Sequence, residues 1–428
     1  MAAQAGLDTL RDGGNAADAA VAVSLALGVC EPGMSGLGAD GFFHHYAAAD
    51  GLSTVFNGSG PAPAAAVLDH YPKGVPPFGP LSVSVPGKLG ALQAMHAAQG
   101  SRSWAALALP AISLARDGFA ATDRFCALAR DAQDRLGADP RSAAVFLGKQ
   151  VTGLVQQPDL ARTLEEVAEG GAETFYRGSL ARRLTGSFAQ IGIPITADDL
   201  AGCAPEVTGA LATTYRGFEI RTTPPNSTGF TMLQILKIIE GYDFAALAPA
   251  DQVHLLVEAK KLAFVDRDRW STDPRFAAVP VADLLSPAHA RAQAAGIDMA
   301  AAAALPVGFA QHGGDTTYFC VVDAWGNAVS GIQSLASAFG AGVTAGDTGI
   351  VLNNRLAWWD NVPGHVNSMS PGKRISHTMN APMVFRDGKL WCVFGTPGGD
   401  NQVQVNAQVL TSLIDLGADL QTAVERPR

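Results

Sequence analysis

The chain has 428 residues, of which 48% are hydrophobic and only 16% charged, so it is long and apolar enough to bury a large core and is not intrinsically disordered. Its formal net charge is -9, and its basic residues form no run longer than a pair, which argues against nucleic acid as a partner. Its five cysteines have neither CxxC spacing nor a nearby histidine cluster, so we expect buried thiols, no metal site and no cofactor.

The chain from Val85 to about Glu240 is predicted to be mostly helical, and a further helix is predicted near the N-terminus. Asn15 is a favourable cap for an alanine-rich helix over Ala16–Leu27, and apolar residues on all sides of that helix predict burial. The stretch Gly36–Gly41 matches the letters of the dinucleotide-binding fingerprint, but a strand, Phe42–Tyr46, follows it where a helix is required. A nucleotide-dependent enzyme is therefore the weakest functional alternative. Further helices are predicted within Ala91–Ala98, Trp104–Ala115, Asp159–Glu169, Phe230–Glu240, Val253–Asp266 and Ala288–Ala304, and a strand pair within Gly209–Arg221.

No segment has the pattern of a membrane span or of a secretory signal. The most apolar window, Ala16–Cys30, is shorter than the roughly 20 residues that a span requires. The N-terminus lacks a basic region followed by an apolar stretch and a cleavage site. As the sequence stands we expect a cytoplasmic protein without a membrane partner; a periplasmic or secreted protein would imply an incomplete N-terminus.

The last third of the chain is richer in strands. Thr317–Val322 and Ala328–Gln333 are β-prone and are separated by a turn sequence, so they predict a hairpin. Shorter strands are predicted at Ile350–Leu352, Pro382–Phe385 and Leu390–Phe394, and a final helix at Asn401–Leu416.

Thr316, in the stretch His312-Gly313-Gly314-Asp315-Thr316-Thr317, is the candidate nucleophile. A threonine hydroxyl needs a base beside it at neutral pH. If the bond between Asp315 and Thr316 is cut, Thr316 gains a free α-amino group whose ordinary pKa, about 7.7 to 8, suits that role. In the uncut chain the same hydroxyl can attack the Asp315 carbonyl, and the preceding glycines supply the backbone freedom that such a turn requires. Asp315 and Thr316 are thus the predicted self-cleavage site.

Gly398 and Gly399 are the candidate oxyanion hole. They lie between a predicted strand and the predicted helix that begins at Asn401, so their N–H groups can point together into a cleft at the start of that helix. Taken alone, a threonine at the start of a strand or a glycine pair before a helix is most often purely structural. The residue chemistry by itself leaves both interpretations open.

Several stretches, in order along nearly the whole chain, resemble the γ-glutamyltransferase family of N-terminal-nucleophile hydrolases. The resemblance implies an α+β fold, a four-layer αββα sandwich in which Thr316 is both processing residue and nucleophile and Gly398 and Gly399 form the oxyanion hole. It also implies a glutathione hydrolase-like enzyme that acts on a small-molecule amide, with water or an amine as acceptor. Residues 1–315 and 316–428 would then be the large and small fragments of one domain, held together after cleavage. The matching stretches are Gly13–Ala20, Glu31–Gly38, Asp315–Thr317, Val321–Asp323, Gly326–Val329, Phe339–Gly340, Gly349–Asn354, Gly372–Arg374 and Pro397–Gly399.

The predicted substrate pocket departs from that family. Members that bind glutamate carry an arginine for the α-carboxylate where this chain has Asn57. They carry Gln or Glu, and then an Asp for the amino group, where this chain has Arg355 and Trp358. The two serines that follow the Lys-Arg pair in the family are replaced here by His377 and Thr378.

Two positions beside the nucleophile differ as well. The second threonine of the family, which supports the nucleophile, is Ser334 here and keeps its hydroxyl. The asparagine two residues further on is Ala336. These changes keep the acyl-transfer groups and replace those that recognise a glutamyl head, so an acyl group with a carboxylate but no amino-acid head is favoured, with Asn57, Ser334, Arg355, His377 and Thr378 as candidate substrate-binding residues.

The alternatives to these roles are structural. Arg355 could clamp a carboxylate or be an ion-pair partner, Trp358 and Trp359 could line the pocket or belong to the core, and His377 could be a hydrogen-bonded loop residue. The resemblance also implies a chain shorter than family members at both ends. A catalytically impaired relative that acts as a binding or scaffold protein is the alternative function.

Overall fold

The computed structural model describes residues 1–304, 314–360 and 362–428, so His312 and Gly313 of the predicted cleavage stretch lie outside the described residues. Within these ranges sixteen α-helices are present. They are α1 Ala2–Arg11, α2 Ala16–Cys30, α3 Lys88–Gln99, α4 Trp104–Asp117, α5 Asp123–Asp131, α6 Gln133–Gly137, α7 Pro140–Phe146, α8 Pro158–Tyr176, α9 Ser179–Ile191, α10 Ala197–Gly202, α11 Gly229–Ile239, α12 Pro249–Trp270, α13 Val281–Leu284, α14 Pro287–Ala295, α15 Asn401–Ile414 and α16 Leu420–Glu425.

The strands form two main antiparallel sheets and one short pair. The five-stranded sheet has the order β5-β2-β1-β9-β8, the four-stranded sheet has the order β11-β10-β7-β6, and β3 pairs with β4. The strands are β1 Asp40–Ala47, β2 Leu52–Gly58, β3 Phe119–Ala120, β4 Leu154–Val155, β5 Glu206–Gly209, β6 Leu211–Tyr215, β7 Phe218–Thr222, β8 Asp315–Val322, β9 Ala328–Ala336, β10 Met383–Arg386 and β11 Lys389–Val393. Each main sheet combines strands from both sides of Thr316.

The two sheets pack face to face between two layers of helices, which confirms the predicted αββα sandwich. Helices α2 and α3 cover the outer face of the five-stranded sheet, and α11, backed by α12 and α15, covers the four-stranded sheet. Between the sheets Tyr46 packs on Phe385 with ring centroids 4.8 Å apart, and Phe42 shares a buried cluster with Met379. Alternation along β1 therefore sends Phe42 inward and its neighbours towards the helices.

Local sequence explains why α2 and the β8–β9 hairpin meet. Asn15 and Asp18 form a reciprocal capping box that starts α2. In the hairpin turn, the Asp323 carboxylate accepts hydrogen bonds from the backbone N–H groups of Trp325 and Asn327, which closes the turn. The same carboxylate accepts the Ala16 N–H at 3.0 Å. The hairpin that carries Thr316 is thereby anchored to the start of a fully buried helix.

Most predicted elements are present, with boundaries that differ by a few residues. The strand predicted at Ile350–Leu352 is wrong, because Val351 and Leu352 make only isolated bridges to Thr344 and Gly38. The expectation of buried thiols is also wrong for part of the set: Cys320 is exposed because it lies on the edge strand β8, and Cys30 and Cys392 are half-buried. None of the described helices combines the length and the apolarity that crossing a membrane requires.

Candidate active site

Thr316 lies at an irregularity of the hairpin. Asp315 is opposite Ala336 and Thr317 is opposite Gln333, so the pairing register shifts between Asp315 and Thr317. Such bulges commonly redirect a side chain out of the regular ladder. Thr316 is 6% exposed, and its position at the start of β8 places its hydroxyl beside the last residues of β9.

The Ser334 hydroxyl connects the predicted nucleophile with the bond that is predicted to be cut. It donates a hydrogen bond to the Asp315 carbonyl oxygen at 2.7 Å, and it accepts one from the Thr316 hydroxyl at 3.3 Å. It also accepts the Ala336 N–H at 2.9 Å. A single side chain therefore orients the attacking oxygen and polarises the carbonyl that this oxygen would attack.

Ala336 has an unusual backbone for a residue with a side chain. Its φ is 85°, in the left-handed region that glycine and asparagine adopt more readily than alanine. It is fully buried and lies directly opposite Asp315. Backbone strain of this kind collects at functional sites, where surrounding contacts hold it. The sequence offered one signal, since the resembling family has asparagine at this position.

The segment that follows α2 makes hydrogen bonds to the start of β8 and to residues at and just after the end of β9. The Thr317 hydroxyl donates to the Glu31 carboxylate at 2.5 Å. The Leu335 N–H donates to the Met34 carbonyl, and the Phe339 N–H donates to the Gly33 carbonyl. These hydrogen bonds hold the segment from Glu31 to Met34 against the start of β8 and the end of β9. Glu31 was not predicted as a site residue, although it belongs to the motif that carries the family resemblance.

Gly398 and Gly399 have left-handed φ angles of 118° and 57° and lie in the loop between β11 and α15. Their carbonyls accept the N–H groups of Asn401 and Gln402 at the start of the helix. The backbone of Gly314 packs directly against this loop: a Cβ placed on Gly314 would lie 2.8 Å from the Gly399 Cα and 2.9 Å from its nitrogen. The chain just before Thr316 therefore runs beside the predicted oxyanion hole.

A fully buried charged cluster lies on the other side of Ser334. Asp40 is opposite Ser334 in the pairing of β1 with β9. The Asp40 carboxylate oxygen Oδ2 lies 3.4 Å from Arg355 Nε and 3.3 Å from His377 Nε2, while Oδ1 accepts the Gly60 N–H. The three guanidinium nitrogens of Arg355 make no hydrogen bond to the described residues, whereas its backbone N–H donates to the Asn353 side chain. Asp40 was not predicted, because nothing local in the sequence pairs residue 40 with residue 334.

Burial controls the charge state of this cluster. It lowers the pKa of Arg355 to about 10, against the attraction of Asp40, so the guanidinium stays charged at neutral pH. Burial, together with the nearby Arg355 charge, lowers the pKa of His377 to about 4. His377 is therefore neutral at pH 7, while Arg355 keeps its charge.

The predicted alternatives for Arg355 and the tryptophans can be compared with these contacts. Arg355 has both an ion-pair partner in Asp40 and the ring of Trp358 at 4.5 Å. Trp358 and Trp359 are 8% and 2% exposed and share a buried cluster with Leu356. The structural roles weighed from the sequence are thus realised in the uncut chain.

Asn57 and Thr378 differ in how far their polar atoms are engaged. The Asn57 side chain donates to Glu206 and Asn226 and accepts the Ser59 N–H at 2.9 Å. Its polar atoms are therefore used within the protein. Thr378 is half-buried, and its carbonyl accepts a hydrogen bond from Asn380. Substrate binding by either residue stays a prediction. Among residues 1–304, 314–360 and 362–428, no group of three or more His, Cys, Asp or Glu side chains could hold a metal ion.

Comparison with known proteins gives consistent matches over the full length. The family model described as Gamma-glutamyltranspeptidase matches residues 2–428. Glutathione hydrolase-like YwrD proenzyme of Bacillus subtilis is 37% identical, over 100% of this chain and 83% of its own length. Acylase ACY 1 proenzyme of Pseudomonas sp. (strain SE83) is 36% identical over 100% and 80%, and oxamate amidohydrolase proenzyme of Klebsiella pneumoniae is 36% identical over 100% and 83%.

Solved structures of proteins named as a cephalosporin acylase and a γ-glutamyltranspeptidase have a similar fold. Cephalosporin acylase from Bacillus halodurans superimposes with a TM-score of 0.91 and 33% identity, over 100% of this chain and 81% of that one. The γ-glutamyltranspeptidase of Helicobacter pylori superimposes with a TM-score of 0.67 and 31% identity, over 69% of this chain and 89% of that one.

Proposed function

Because the chain belongs to the gamma-glutamyltranspeptidase family, and with it to the amide hydrolases that are made as self-processing proenzymes, we propose that Thr316 is the nucleophile of two successive reactions. In the first it cleaves its own chain after Asp315, and in the second it opens a substrate amide. The observation that carries this proposal is the Ser334 hydroxyl, which bonds to both the Thr316 hydroxyl and the Asp315 carbonyl.

The first reaction is an acyl shift followed by hydrolysis. The Thr316 oxygen attacks the Asp315 carbonyl carbon, the carbon–nitrogen bond breaks, and the hydroxyl proton passes to the departing nitrogen. Ser334, already donating to the carbonyl oxygen, stabilises the negative charge that develops there. Water then hydrolyses the ester, which leaves a carboxylate on Asp315 and a free amine on Thr316.

The second reaction uses the group that the first one releases. The new α-amine of Thr316 has an ordinary pKa near working pH and lies on the same residue as the hydroxyl, so it can take the hydroxyl proton. The substrate carbonyl is attacked to give an ester on Thr316, and the amine product departs with that proton. The N–H groups of Gly398 and Gly399 supply the oxyanion hole at the start of α15. Water or an amine acceptor then releases the acyl group.

The substrate that fits this pocket is an amide whose acyl group carries a carboxylate and no α-amino group. The side chain at position 57 is an asparagine already bonded to Glu206 and Asn226, so the arginine that holds a glutamyl carboxylate in the family has no equivalent there. Trp358 occupies the position of the aspartate that receives the amino group. Relatives named as an acylase and an oxamate amidohydrolase are consistent with such acyl groups.

Intact-mass measurement of the purified protein tests the first reaction. We expect fragments 1–315 and 316–428 from the wild type, slower cleavage in Thr316→Ser, and none in Thr316→Ala. Ser334→Ala is expected to slow cleavage by about 100- to 1,000-fold, the range for removing an oxyanion donor. A wild type that stays a single chain after prolonged incubation, indistinguishable from Thr316→Ala, would contradict the proposal and favour the binding or scaffold alternative.

A matched substrate pair tests the second reaction. Glutaryl p-nitroanilide and γ-glutamyl p-nitroanilide differ only by the α-amino group. We expect the processed wild type to have the higher kcat/KM for the glutaryl compound. Any turnover by wild type that is absent in Thr316→Ala would exclude the scaffold alternative, and a strong preference for the γ-glutamyl compound would refute the assignment of the acyl group.

A further inference from the structure

The side chain of Asp315 lies in an anion-binding environment beside the nucleophile. Its Oδ2 accepts the Ala338 N–H at 2.9 Å. Arg135 donates to the carbonyl of the same residue, Ala338, and its guanidinium lies over the Phe78 ring at 4.1 Å from the centroid. Arg124, exposed at the start of α5, is a second cation, and its charge acts to lower the pKa of the Asp315 carboxyl.

In the part of the chain that the structure describes, no carboxylate forms an ion pair with either arginine. Neither Arg124 nor Arg135 forms an ion pair within 4.0 Å among the residues that the structure describes, and the buried Nε of Arg135 has no hydrogen-bond partner there. Burial raises the pKa of Asp315, and the Ala338 N–H and both arginines only partly offset that effect. The charges of two arginines thus act on the Asp315 carboxylate without a direct ion pair to it. Arg355 differs, because Asp40 already balances its charge.

The chemistry of the two reactions connects this environment with the substrate. When the chain cleaves itself, the acyl group esterified to Thr316 is residue 315, and its carboxylate is two carbons away from the attacked carbonyl. A substrate acyl group forms an ester on the same oxygen. Once the cut end of the large fragment withdraws, the Ala338 N–H and the two arginines are left without their carboxylate, next to that ester.

We propose that the Ala338 N–H, Arg124 and Arg135 form the subsite for the substrate's carboxylate, and that the preferred acyl group is of the succinyl type, with two carbons between its carboxylate and the attacked carbonyl. Asp315 is the internal stand-in for this group before cleavage. The inference rests on the proposed function and adds to it the acyl chain length and the cations that select it. It assigns the carboxylate to this subsite and not to Arg355.

The test compares three p-nitroanilides on the processed enzyme. The succinyl compound carries the carboxylate, the succinamoyl compound replaces it with a neutral carboxamide of the same shape, and the glutaryl compound is one carbon longer. We expect kcat/KM for the succinyl compound to exceed that for the succinamoyl compound by at least tenfold and to exceed that for the glutaryl compound.

Two variants on one helix supply the matched comparison. Arg124→Gln removes the proposed cation, whereas Arg130→Gln removes another exposed arginine of α5, which belongs to no part of the site. We expect Arg124→Gln to lower the ratio of kcat/KM for the succinyl compound to kcat/KM for the succinamoyl compound about tenfold, and Arg130→Gln to leave that ratio unchanged. Arg135→Lys, which keeps a charge, should lose less of the preference than Arg135→Gln.

The outcomes separate the two proposals. Fragments that hydrolyse the succinyl and succinamoyl compounds equally, or an Arg124→Gln enzyme with the wild-type preference, would overturn the subsite and leave the Thr316 mechanism standing. The same holds if only Arg355→Gln abolishes the preference, or if cleaved protein turns over none of the three compounds. An uncut wild type that is inactive towards every amide would overturn both proposals.

Discussion

The five-stranded sheet has a buried cation near each of its faces, and the two cations have different surroundings. Towards the second sheet, Arg355 lies 3.4 Å from Asp40 and keeps a pKa of about 10. On the helix side, Lys88 packs its stem against Gly41, and its amine has no hydrogen-bond partner among the described residues. Burial lowers the pKa of Lys88 to about 7. Both side chains are essentially inaccessible. Most of the difference between the two pKa values reflects the higher ordinary pKa of a guanidinium, 12.5 against 10.5 for a lysine amine, and the attraction of the Asp40 carboxylate adds to it.

The comparison contrasts a buried cation that has a carboxylate partner, Arg355, with a buried cation that has none among the described residues, Lys88. A buried ion pair retains its charge because each partner offsets the desolvation of the other. A lone buried amine avoids the cost by losing its proton. The position of Lys88 as the first residue of α3 adds to that cost, since the start of a helix carries partial positive charge. The stable, charged arrangement lies on the face that carries Ser334.

Removing the carboxylate from the first region is expected to have the largest effect. Asp40→Asn leaves Arg355 charged and unpaired in the interior, which should destabilise the protein by about 3–5 kcal/mol. Thermal unfolding of both proteins measures the loss. Asp8→Asn, which removes an exposed carboxylate of α1, is the control and should change stability by less than about 0.5 kcal/mol.

The double variant sharpens this prediction. Asp40→Asn combined with Arg355→Met removes both charges, and a buried ion pair can often be replaced by apolar groups at little cost. Part of the lost stability should therefore return. If Asp40→Asn is as stable as the wild type, or if the double variant is worse than the sum of the single ones, Asp40 does not balance Arg355.

Lys88→Met tests the second region and should have the opposite sign. It removes the buried amine and is expected to stabilise the protein by a few kcal/mol at pH 6. The folded pKa of about 7 lies below the unfolded value near 10.5, so the folded state holds fewer protons between these pH values. Wild-type stability should thus rise relative to Lys88→Met as pH increases from 7 to 10.

Stability measured against pH for both proteins checks this expectation. Lys73→Met, at an exposed lysine, is the control and should give a constant difference from the wild type over the same range. A Lys88→Met difference that does not narrow at alkaline pH would mean that the buried amine keeps its proton, and that Lys88 has a partner outside the described residues.

The sequence could predict the features that depend on local patterns, but not those that depend on pairing between distant strands. Short motifs contain Thr316, Gly398 and Gly399, and local hydrophobic periodicity marks the helices. These features could therefore be predicted from the sequence. The contacts of Ser334 were not, because its place opposite Asp40 depends on the register of strands that are far apart in sequence. The family resemblance implied that Ser334 supports the nucleophile, but it did not give the hydrogen bonds that Ser334 makes.

The anion environment of Asp315 was inaccessible for the same reason. Arg124 and Arg135 lie on helices with no recognisable motif, and only the packing of those helices against the Ser337–Gly340 turn brings them to the site. Ala336 was noted for the missing asparagine, but its left-handed backbone could not be foreseen from an alanine. Local sequence patterns thus indicated Thr316 as a candidate nucleophile, and nonlocal pairing determines what surrounds it.

A substitution of Ala336 gives the smallest predicted effect and tests whether the backbone beside the predicted cleavage site is strained. At a φ of 85°, a glycine avoids the Cβ conflict, which is worth about 1–2 kcal/mol, while its extra freedom in the unfolded chain costs about 0.5–1 kcal/mol. Ala336→Gly should therefore leave stability unchanged or raise it by up to about 1 kcal/mol. Ala328→Gly, at the other end of β9, is equally buried but has no left-handed φ, so it should lose about 0.5–1 kcal/mol.

Thermal unfolding measures both variants. They are a matched pair, because both replace a fully buried alanine of β9 with glycine. A gain or no change at Ala336 beside a loss at Ala328 would place stored strain next to the Asp315 carbonyl, where the Ser334 hydroxyl holds both the strained N–H and the bond to be cut. Equal losses at both positions would mean that the left-handed backbone costs nothing there. In that case only the hydrogen bonds of Ser334, and not backbone strain, would distinguish the start of β8 from an ordinary edge of the sheet.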